Sequence, residues 1–163
     1  MVHINVVCVG KIKEKFFKDA IDEYSKRLSR FCSLKIIELN DEKIPENSNI
    51  NIENIIKNKE GNNIISHLPK DSYIICLDLK GKSFSSVKFA EKINNIYDNI
   101  NSNLTFIIGG SLGLSQEVLN RANELISFSE MTFPHQLIRI FLLEQIYRAF
   151  KIINNETYHK WLR

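Results

Sequence analysis

The sequence predicts a single α/β domain, residues 1–163, in which helices flank a mostly parallel sheet. Short β-branched apolar runs alternate with amphipathic stretches along the whole chain, and this alternation is typical of βα units. The length of 163 residues suits one hydrophobic core and leaves no room for a second catalytic module. With 44% hydrophobic and 25% charged residues, the chain falls outside the collagenous and disordered classes.

The first half of the chain predicts two strands and two helices. Residues 2–9 form a continuous apolar run, as in a buried strand. Apolar residues then recur every four positions across 12–31, beside lysines and arginines, which indicates a long amphipathic helix. A second strand at 34–39 precedes a polar loop and a helix at 52–65, which we expect to be interrupted near Gly61.

The second half continues the alternation with three more strands and three more helices. The strands are again apolar and β-branched, and the last helix starts at Pro134, a favoured first-turn residue. The predicted strands are 73–79, 104–108 and 125–128, and the predicted helices are 85–97, 115–122 and 134–153. Five strands and five helices make one domain without a linker or an internal repeat.

The formal charge of +3 is too small to indicate a nucleic-acid-binding protein by itself. Its distribution is more informative. Residues 11–35 carry eight basic and four acidic side chains, and residues 131–163 carry five and two, whereas residues 36–130 carry nine and thirteen. If the two ends meet in the fold, they can form a cationic surface that the total conceals.

The cysteines indicate a reducing compartment and no metal site. Cys8, Cys32 and Cys76 each lie in an apolar run, as small buried residues do. Their spacing to the four histidines matches no zinc pattern. No apolar stretch reaches the length of a membrane span, and no signal-peptide leader precedes the first strand. We therefore expect a cytoplasmic protein without metal or membrane partners.

Two glycine motifs follow predicted strands. Gly81-Lys-Ser resembles the end of a phosphate-binding loop, but Cys76 stands where that loop needs a glycine, so a turn into a helix is the better interpretation. Gly109-Gly-Ser-Leu-Gly113 lies at a strand end, where α/β proteins bind ligands. Its spacing differs from the dinucleotide motif, and a tight turn explains it equally well.

A third candidate site is the segment from Phe128 to His135, a strand end that leads into the last helix. Its hydroxyls, Glu130 and its main chain can hydrogen-bond a polar ligand, and Met131 and Phe133 can pack on an aromatic ring. Alternatively, Thr132 caps the helix and Phe133 packs back onto it.

The last helix is apolar nearly all round, so part of its surface needs a partner, and a homodimer is the simplest one. Arg139, Glu144 and Arg148 are embedded in it. Glu144 and Arg148 are four residues apart and can form a local ion pair. Because buried charges are costly, a site at a dimer interface is the alternative. The tail beyond this helix mixes basic and aromatic residues, as nucleic-acid-binding segments do.

Four motifs, in this order, resemble the ribosomal RNA large-subunit methyltransferase H family. They are Leu77-Asp-Leu-Lys-Gly-Lys82, Ile107-Ile-Gly-Gly-Ser-Leu-Gly-Leu114, 125–136 and Leu143-Glu-Gln-Ile-Tyr-Arg-Ala-Phe150. The opening Val9-Gly-Lys-Ile-Lys and the ending with Tyr158-His159 also match. This family belongs to the SPOUT class, so the resemblance implies a SPOUT-type fold with a C-terminal trefoil knot.

The resemblance implies transfer of a methyl group from S-adenosylmethionine to N3 of a pseudouridine in 23S RNA of the assembled ribosome. By motif position, the implied cofactor-binding residues are Leu77, Gly109, Phe128, Ser129, Glu130, Met131, Thr132 and Phe133. Candidates for orienting the substrate or handling charge and protons are Arg139, Glu144, Arg148, Tyr158 and His159. Two other interpretations stay open: a nucleotide-binding α/β protein and a ribosome-associated factor without catalytic activity.

Overall fold

The computed structural model describes residues 1–158 and residue 160, and it has the predicted α/β architecture. The strands are β1 (Val2–Val9), β2 (Cys32–Leu39), β3 (Tyr73–Lys82), β4 (Asn103–Ile108) and β5 (Glu124–Ile126). The helices are α1 (Lys15–Leu28), α2 (Ile50–Ser66), α3 (Ser86–Asn99), α4 (Gln116–Arg121) and α5 (His135–Ile153). The five-stranded sheet has the order β2-β1-β4-β3-β5, and every pair in it is parallel.

The sheet divides the hydrophobic core into two parts, and helices cover both of its faces. Ile4, Val6 and Cys8 of β1 point toward α1, α3 and α5. Val7 and Val9 point to the opposite face, where α2 and α4 pack. Since both faces are covered, the strands are apolar along most of their length, which is why they appear in the sequence as continuous apolar runs. The knot implied by the resemblance stays a prediction.

The three cysteines are buried, as expected. Burial raises the pKa of the Cys8 thiol to about 11 and those of Cys32 and Cys76 to about 12. Since the thiolate is the reactive form, all three side chains behave as inert core residues.

Helix α2 is continuous, so the expected interruption near Gly61 is wrong. Gly61 lies where α2 packs against the start of α4. A Cβ at this position would lie 2.2 Å from Oγ of Ser115 and 3.2 Å from Cγ2 of Val118. Ser115 caps α4 by accepting a hydrogen bond from the amide of Val118. Glycine at 61 therefore allows close packing of two helices and does not break the helix.

Substitution of Gly61 by Ala should destabilise the protein by about 1–2 kcal/mol, because the new methyl group displaces the Ser115 cap. A loss of stability indicates close packing at this position, since replacement of Gly by Ala at an unhindered helical position stabilises a protein. The exposed neighbour Asn62 is the control, and Asn62→Ala should change stability by less than about 0.5 kcal/mol. Urea denaturation measures both, and a more stable Gly61→Ala variant would contradict the packing described.

Candidate active site

The candidate cofactor residues gather at the carboxyl end of three adjacent strands. The sheet order places β4, β3 and β5 side by side. Gly109 follows β4, Leu77 lies in β3, and Phe128–Phe133 follow β5. Parallel strands end at the same edge of a sheet, where loops and helix ends form ligand sites in α/β proteins. Residues that are far apart in the sequence thus lie along one edge.

Leu77 lies within β3 and not after it, and β3 runs to Lys82, three residues beyond the predicted strand end at residue 79. Leu77 pairs with Ile126 of β5, and the register then shifts so that Lys82 pairs with the same Ile126. Between these pairs the chain bulges, and Oδ1 of Asp78 accepts a hydrogen bond from the amide of Lys80 at 2.9 Å. Leu77 still marks the point where regular pairing ends.

Gly81 and Lys82 also belong to β3, so the expected turn into a helix at these residues is wrong. A Cβ on Gly81 would lie 2.5 Å from the carbonyl carbon of Ile126. Only glycine allows two main chains to approach so closely. This contact fills the space in which a phosphate-binding cradle would have to form, and it removes the main support for the nucleotide-binding alternative.

The loop after β4 is a tight turn closed by a hydrogen bond from the amide of Gly113 to the carbonyl of Gly110 at 3.0 Å. A Cβ on Gly109 would lie 2.9 Å from the carbonyl group of Gly113. Gly113 has a φ of +81°, which L side chains rarely adopt. The tip of this turn, Ser111, is exposed.

The segment after β5 presents main-chain groups to solvent. Residues 130–134 are exposed. Within the described part of the chain, Met131 is the only residue of 128–133 whose amide donates a hydrogen bond, to Oγ of Ser129 at 3.0 Å. Thr132 does not cap α5, because the capping position is Pro134 and has no side-chain cap. Phe133 does pack back onto the helix, edge-to-face on Phe141 with ring centroids 5.3 Å apart.

A cavity of about 240 Å³ lies beneath this segment, between the start of α3 and the outer side of α5. Its lining is rich in phenylalanine: Phe84, Ser86, Phe89, Ile126, Ser127, Phe128, Phe133, Phe141 and Gln145. It shares Phe128 and Phe133 with the candidate cofactor residues, whereas Leu77 and Gly109 lie outside it.

The chain crosses from the edge strand β5 to β1, an interior strand on the far side of β3 and β4, before α5 begins, and Arg139 fixes this crossing. Its Nη2 donates to the carbonyls of Val9 and Gly10 at 2.9 and 2.7 Å, and its Nη1 donates to Oε2 of Glu38 at 2.9 Å. The side chain of Arg139 is only 3% exposed. The expected contact of Arg139 with substrate stays a prediction, and this geometry favours a positioning role.

The sequence analysis missed Glu38, although a single carboxylate near the end of an apolar strand is a visible signal. Its Oε2 accepts hydrogen bonds from both Arg139 and the amide of Ile12, the latter at 2.9 Å. Nε2 of His135 lies 3.1 Å from where a Cβ of Gly10 would be. Burial, with the nearby charge of Arg139, lowers the pKa of His135, which favours its neutral form.

Glu60 was also missed. It is 7% exposed and lies beside the loop after β4, with both carboxylate oxygens within 3.6 Å of where a Cβ of Gly110 would be. One of these oxygens accepts the amide of Glu42 at 3.0 Å, and burial raises the pKa of Glu60. Glu60 thus joins the loop after β2 to the loop after β4.

Three of the other candidate residues form a cluster: Glu144 and Arg148 of α5, and Tyr158, which follows this helix. Oε1 of Glu144 accepts Nε of Arg148 at 2.8 Å, and its Oε2 accepts the hydroxyl of Tyr158 at 2.9 Å. The guanidinium of Arg148 lies 4.7 Å from the centre of the Tyr158 ring. Tyr24 of α1 lies near Glu144, and burial, with the nearby Glu144, raises the pKa of both Tyr24 and Tyr158. The predicted ion pair is therefore present, within a larger network, while His159 lies outside the described residues.

The cluster and the cofactor residues lie toward opposite ends of α5. Residues 128–133 precede the helix, whereas Arg148 lies 13 positions after its first residue, which is about 20 Å along the axis at 1.5 Å per residue. Arg148 is thus separated along the helix axis from the segment that precedes α5, while Gln145, next to Glu144, lines the cavity that includes Phe128 and Phe133.

Among the described residues, no group of three or more His, Cys, Asp or Glu side chains is arranged to hold a metal ion. In the same part of the chain, no helix combines the length and hydropathy needed to cross a membrane.

Comparison with known proteins identifies the class to which this fold and site belong. The family model described as "Predicted SPOUT methyltransferase" matches residues 2–159. The chain belongs to the SPOUT methyltransferase family. A protein from Clostridium botulinum (strain Hall), named "Ribosomal RNA large subunit methyltransferase H", is 60% identical over 159 residues, 98% of this chain and 100% of that protein. A protein of the same name from Clostridium novyi (strain NT) is 59% identical with the same coverage.

Replacement of Arg139 by Leu should destabilise the fold by about 2–4 kcal/mol, because two carbonyls lose charge-assisted hydrogen bonds. Arg121→Leu is the control, since Arg121 is exposed at the end of α4, and it should shift stability by less than about 0.5 kcal/mol. Urea denaturation compares the two. Equal stability of the two variants would show that Arg139 does not hold the crossing.

Proposed function

We propose that this protein transfers the methyl group of S-adenosylmethionine to N3 of a pseudouridine in the 23S RNA of the assembled ribosome. The observation that carries the proposal is the full-length match to proteins named ribosomal RNA large subunit methyltransferase H, at 60% identity over 98% of the chain. The match includes every strand-end loop described above. The cofactor and the target nitrogen are what the resemblance of the sequence motifs implies.

The strand-end loops suit a cofactor with a flat apolar ring and several polar groups. Phe128 and Phe133 provide apolar surface, and the exposed main chain of 130–133 provides donors and acceptors. Gly109 keeps the neighbouring loop free of a side chain, and Leu77 lies in β3, between the two loops. We assign Leu77, Gly109 and Phe128–Phe133 to this cofactor, whose sulfonium supplies an already activated methyl group.

The protein must also orient the acceptor base and favour the form of the base that has lost the proton on N3. N3 of the base must lose a proton before it attacks, and a cation nearby favours the resulting anion. Arg148 is suited to this task because Glu144 fixes its guanidinium against the ring of Tyr158. Tyr158 can stack on the base, while Glu144 also fixes the tyrosine. His159 is the remaining candidate and rests on its motif position alone.

The separation along α5 supports a homodimer in which each site takes residues from both subunits. If α5 packs antiparallel against the partner's α5, the cluster around Glu144 of one subunit approaches the cofactor loops of the other. The apolar side chains Leu137, Ile140 and Phe141 are only partly covered within one chain, and they provide surface for such packing.

Ribosomes that lack the modification, incubated with the purified protein and methyl-labelled S-adenosylmethionine, test the proposed reaction. We expect label in the 23S RNA, and mass mapping should place one added methyl on a pseudouridine. Failure of the protein to bind the cofactor or its demethylated product at millimolar concentration would exclude the reaction. Label on another nucleotide would exclude the proposed target.

Substitution of Arg148 by Ala should lower kcat by at least about 10²-fold, as loss of a group that stabilises charge in the transition state does. Cofactor affinity, measured by isothermal titration, should stay within about twofold, because the cofactor loops lie at the other end of α5. Arg121→Ala is the control with full activity. Equal loss of cofactor binding in Arg148→Ala would contradict the assigned role.

Mixing two inactive variants tests whether the sites are shared. Gly109→Val blocks the cofactor loop, and Arg148→Ala removes the cation from the substrate side. Random pairing of the two should restore about a quarter of the wild-type activity, since half of the dimers are mixed and each has one complete site. No recovery after subunit exchange, confirmed by native mass spectrometry, would show that each site is built from one chain.

A further inference from the structure

We propose that Lys11 and Lys13 bind phosphate groups of the substrate RNA and form a cationic pair, held on a fixed main chain, at the edge of the active site. This assignment rests on the proposed function, because it takes RNA as the substrate. Residues 11–35 carry eight basic side chains, and the sequence alone does not distinguish among them. The structure sets these two apart by how they are held, where they lie and what pairs with them.

The loop between β1 and α1 is anchored at its centre. Ile12 is buried at 7% exposure, while Lys11 and Lys13 on either side of it are exposed. The amide of Ile12 donates to Oε2 of Glu38, the same oxygen that accepts Arg139. Gly10 enters the loop with a φ of +94°. The main chain of both lysines is therefore fixed, so binding of a phosphate costs only the ordering of their side chains.

The loop after β1 borders both the start of α5 and the loop after β4. Gly10 contacts His135, two residues after the cofactor segment. On the other side, Val9 lies 3.2 Å from where a Cβ of Gly110 would be, in the loop after β4. Any RNA strand whose base reaches the cofactor loops must pass close to this edge of the sheet.

Charge pairing distinguishes these lysines from three nearby basic residues, two in α1 and one just after it. Lys15 pairs with Asp19, Arg27 with Glu23, and Arg30 with Glu156. Lys11 and Lys13 form no ion pair within the described part of the chain. Glu38, whose Oε2 accepts the amide of Ile12 between the two lysines, is already paired with Arg139. An unpaired cation at the surface is available to replace the counterions of a phosphate.

The salt dependence of ribosome binding measures these contacts directly. Each phosphate contact contributes about 0.7–0.9 to the slope of log affinity against log salt concentration. In the double variant Lys11→Ala/Lys13→Ala, the slope should fall by about 1.5 and the KM for ribosomes should rise about tenfold. Both kcat and cofactor affinity should stay within about twofold, because neither lysine touches the cofactor loops.

Two further variants are matched controls. Lys26→Ala/Lys70→Ala removes two exposed lysines at the opposite end of the sheet and should leave the slope unchanged. Lys11→Arg/Lys13→Arg keeps both charges and should retain the wild-type slope. An equal slope in the alanine variant and the Lys26/Lys70 control would overturn the assignment, as would a loss of kcat without a change in slope.

The partner of the lysines can be identified by cross-linking. Because the natural cysteines are buried, a Lys13→Cys variant can be labelled selectively with a photoreactive group. Cross-links to 23S RNA support the assignment, whereas cross-links only to a ribosomal protein overturn it. If the wild-type protein transfers no methyl group to ribosomes, the proposed function fails and this assignment fails with it. An unchanged slope in an active enzyme overturns this assignment alone.

Discussion

The buried guanidinium of Arg139 is the interaction on which the rest of the site depends. β5 lies at one edge of the sheet, and α5 begins beside β1, with two strands, β3 and β4, between β5 and β1. The segment between them carries most of the candidate cofactor residues, and it makes few hydrogen bonds of its own. Its position is set at its far end, where Arg139 binds the main chain of β1 and Glu38. A charge this deeply buried is tolerable only with such partners, so the position of α5 along β1 is fixed.

The elements could be predicted from the sequence because their signals are local. The boundaries of β1 are those predicted, and the other strands and helices differ mainly at their ends. The contacts that shape the site are not local, and that is why they were missed. Glu38 and Arg139 are 101 residues apart, and no periodicity connects them. The predictions at Gly61 and Gly81 are wrong for the same reason. At each position a segment distant in the sequence packs so closely that a larger side chain would not fit.

The candidate site residues come from motifs, and physical reasoning from the sequence alone leaves the role of several of them undecided. It could not decide whether the Gly109 loop was a turn or a ligand site, and the structure shows how the turn closes. It predicted the Glu144–Arg148 pair from helix spacing, but not its tyrosine partners, which come from α1 and the tail. The basic head and tail do meet, through the Arg30–Glu156 pair and the packing of α1 on α5. Ion pairs with acidic side chains of the same two segments hold Lys15, Arg27, Arg30, Arg148 and Lys151, and the excess of basic side chains remains.

The order of the strands has a consequence for how the chain acquires its structure during synthesis. β1 lies near the centre of the sheet, yet its neighbour β4 is 100 residues further along, with His3 opposite Asn103. The bond from Arg139 to Val9 spans 130 residues. At about 5–20 residues per second, a growing chain exposes one side of β1 for about 5–20 seconds. Such long-range pairing folds slowly, so we expect the nascent chain to depend on protection of β1 until its last helix has been made.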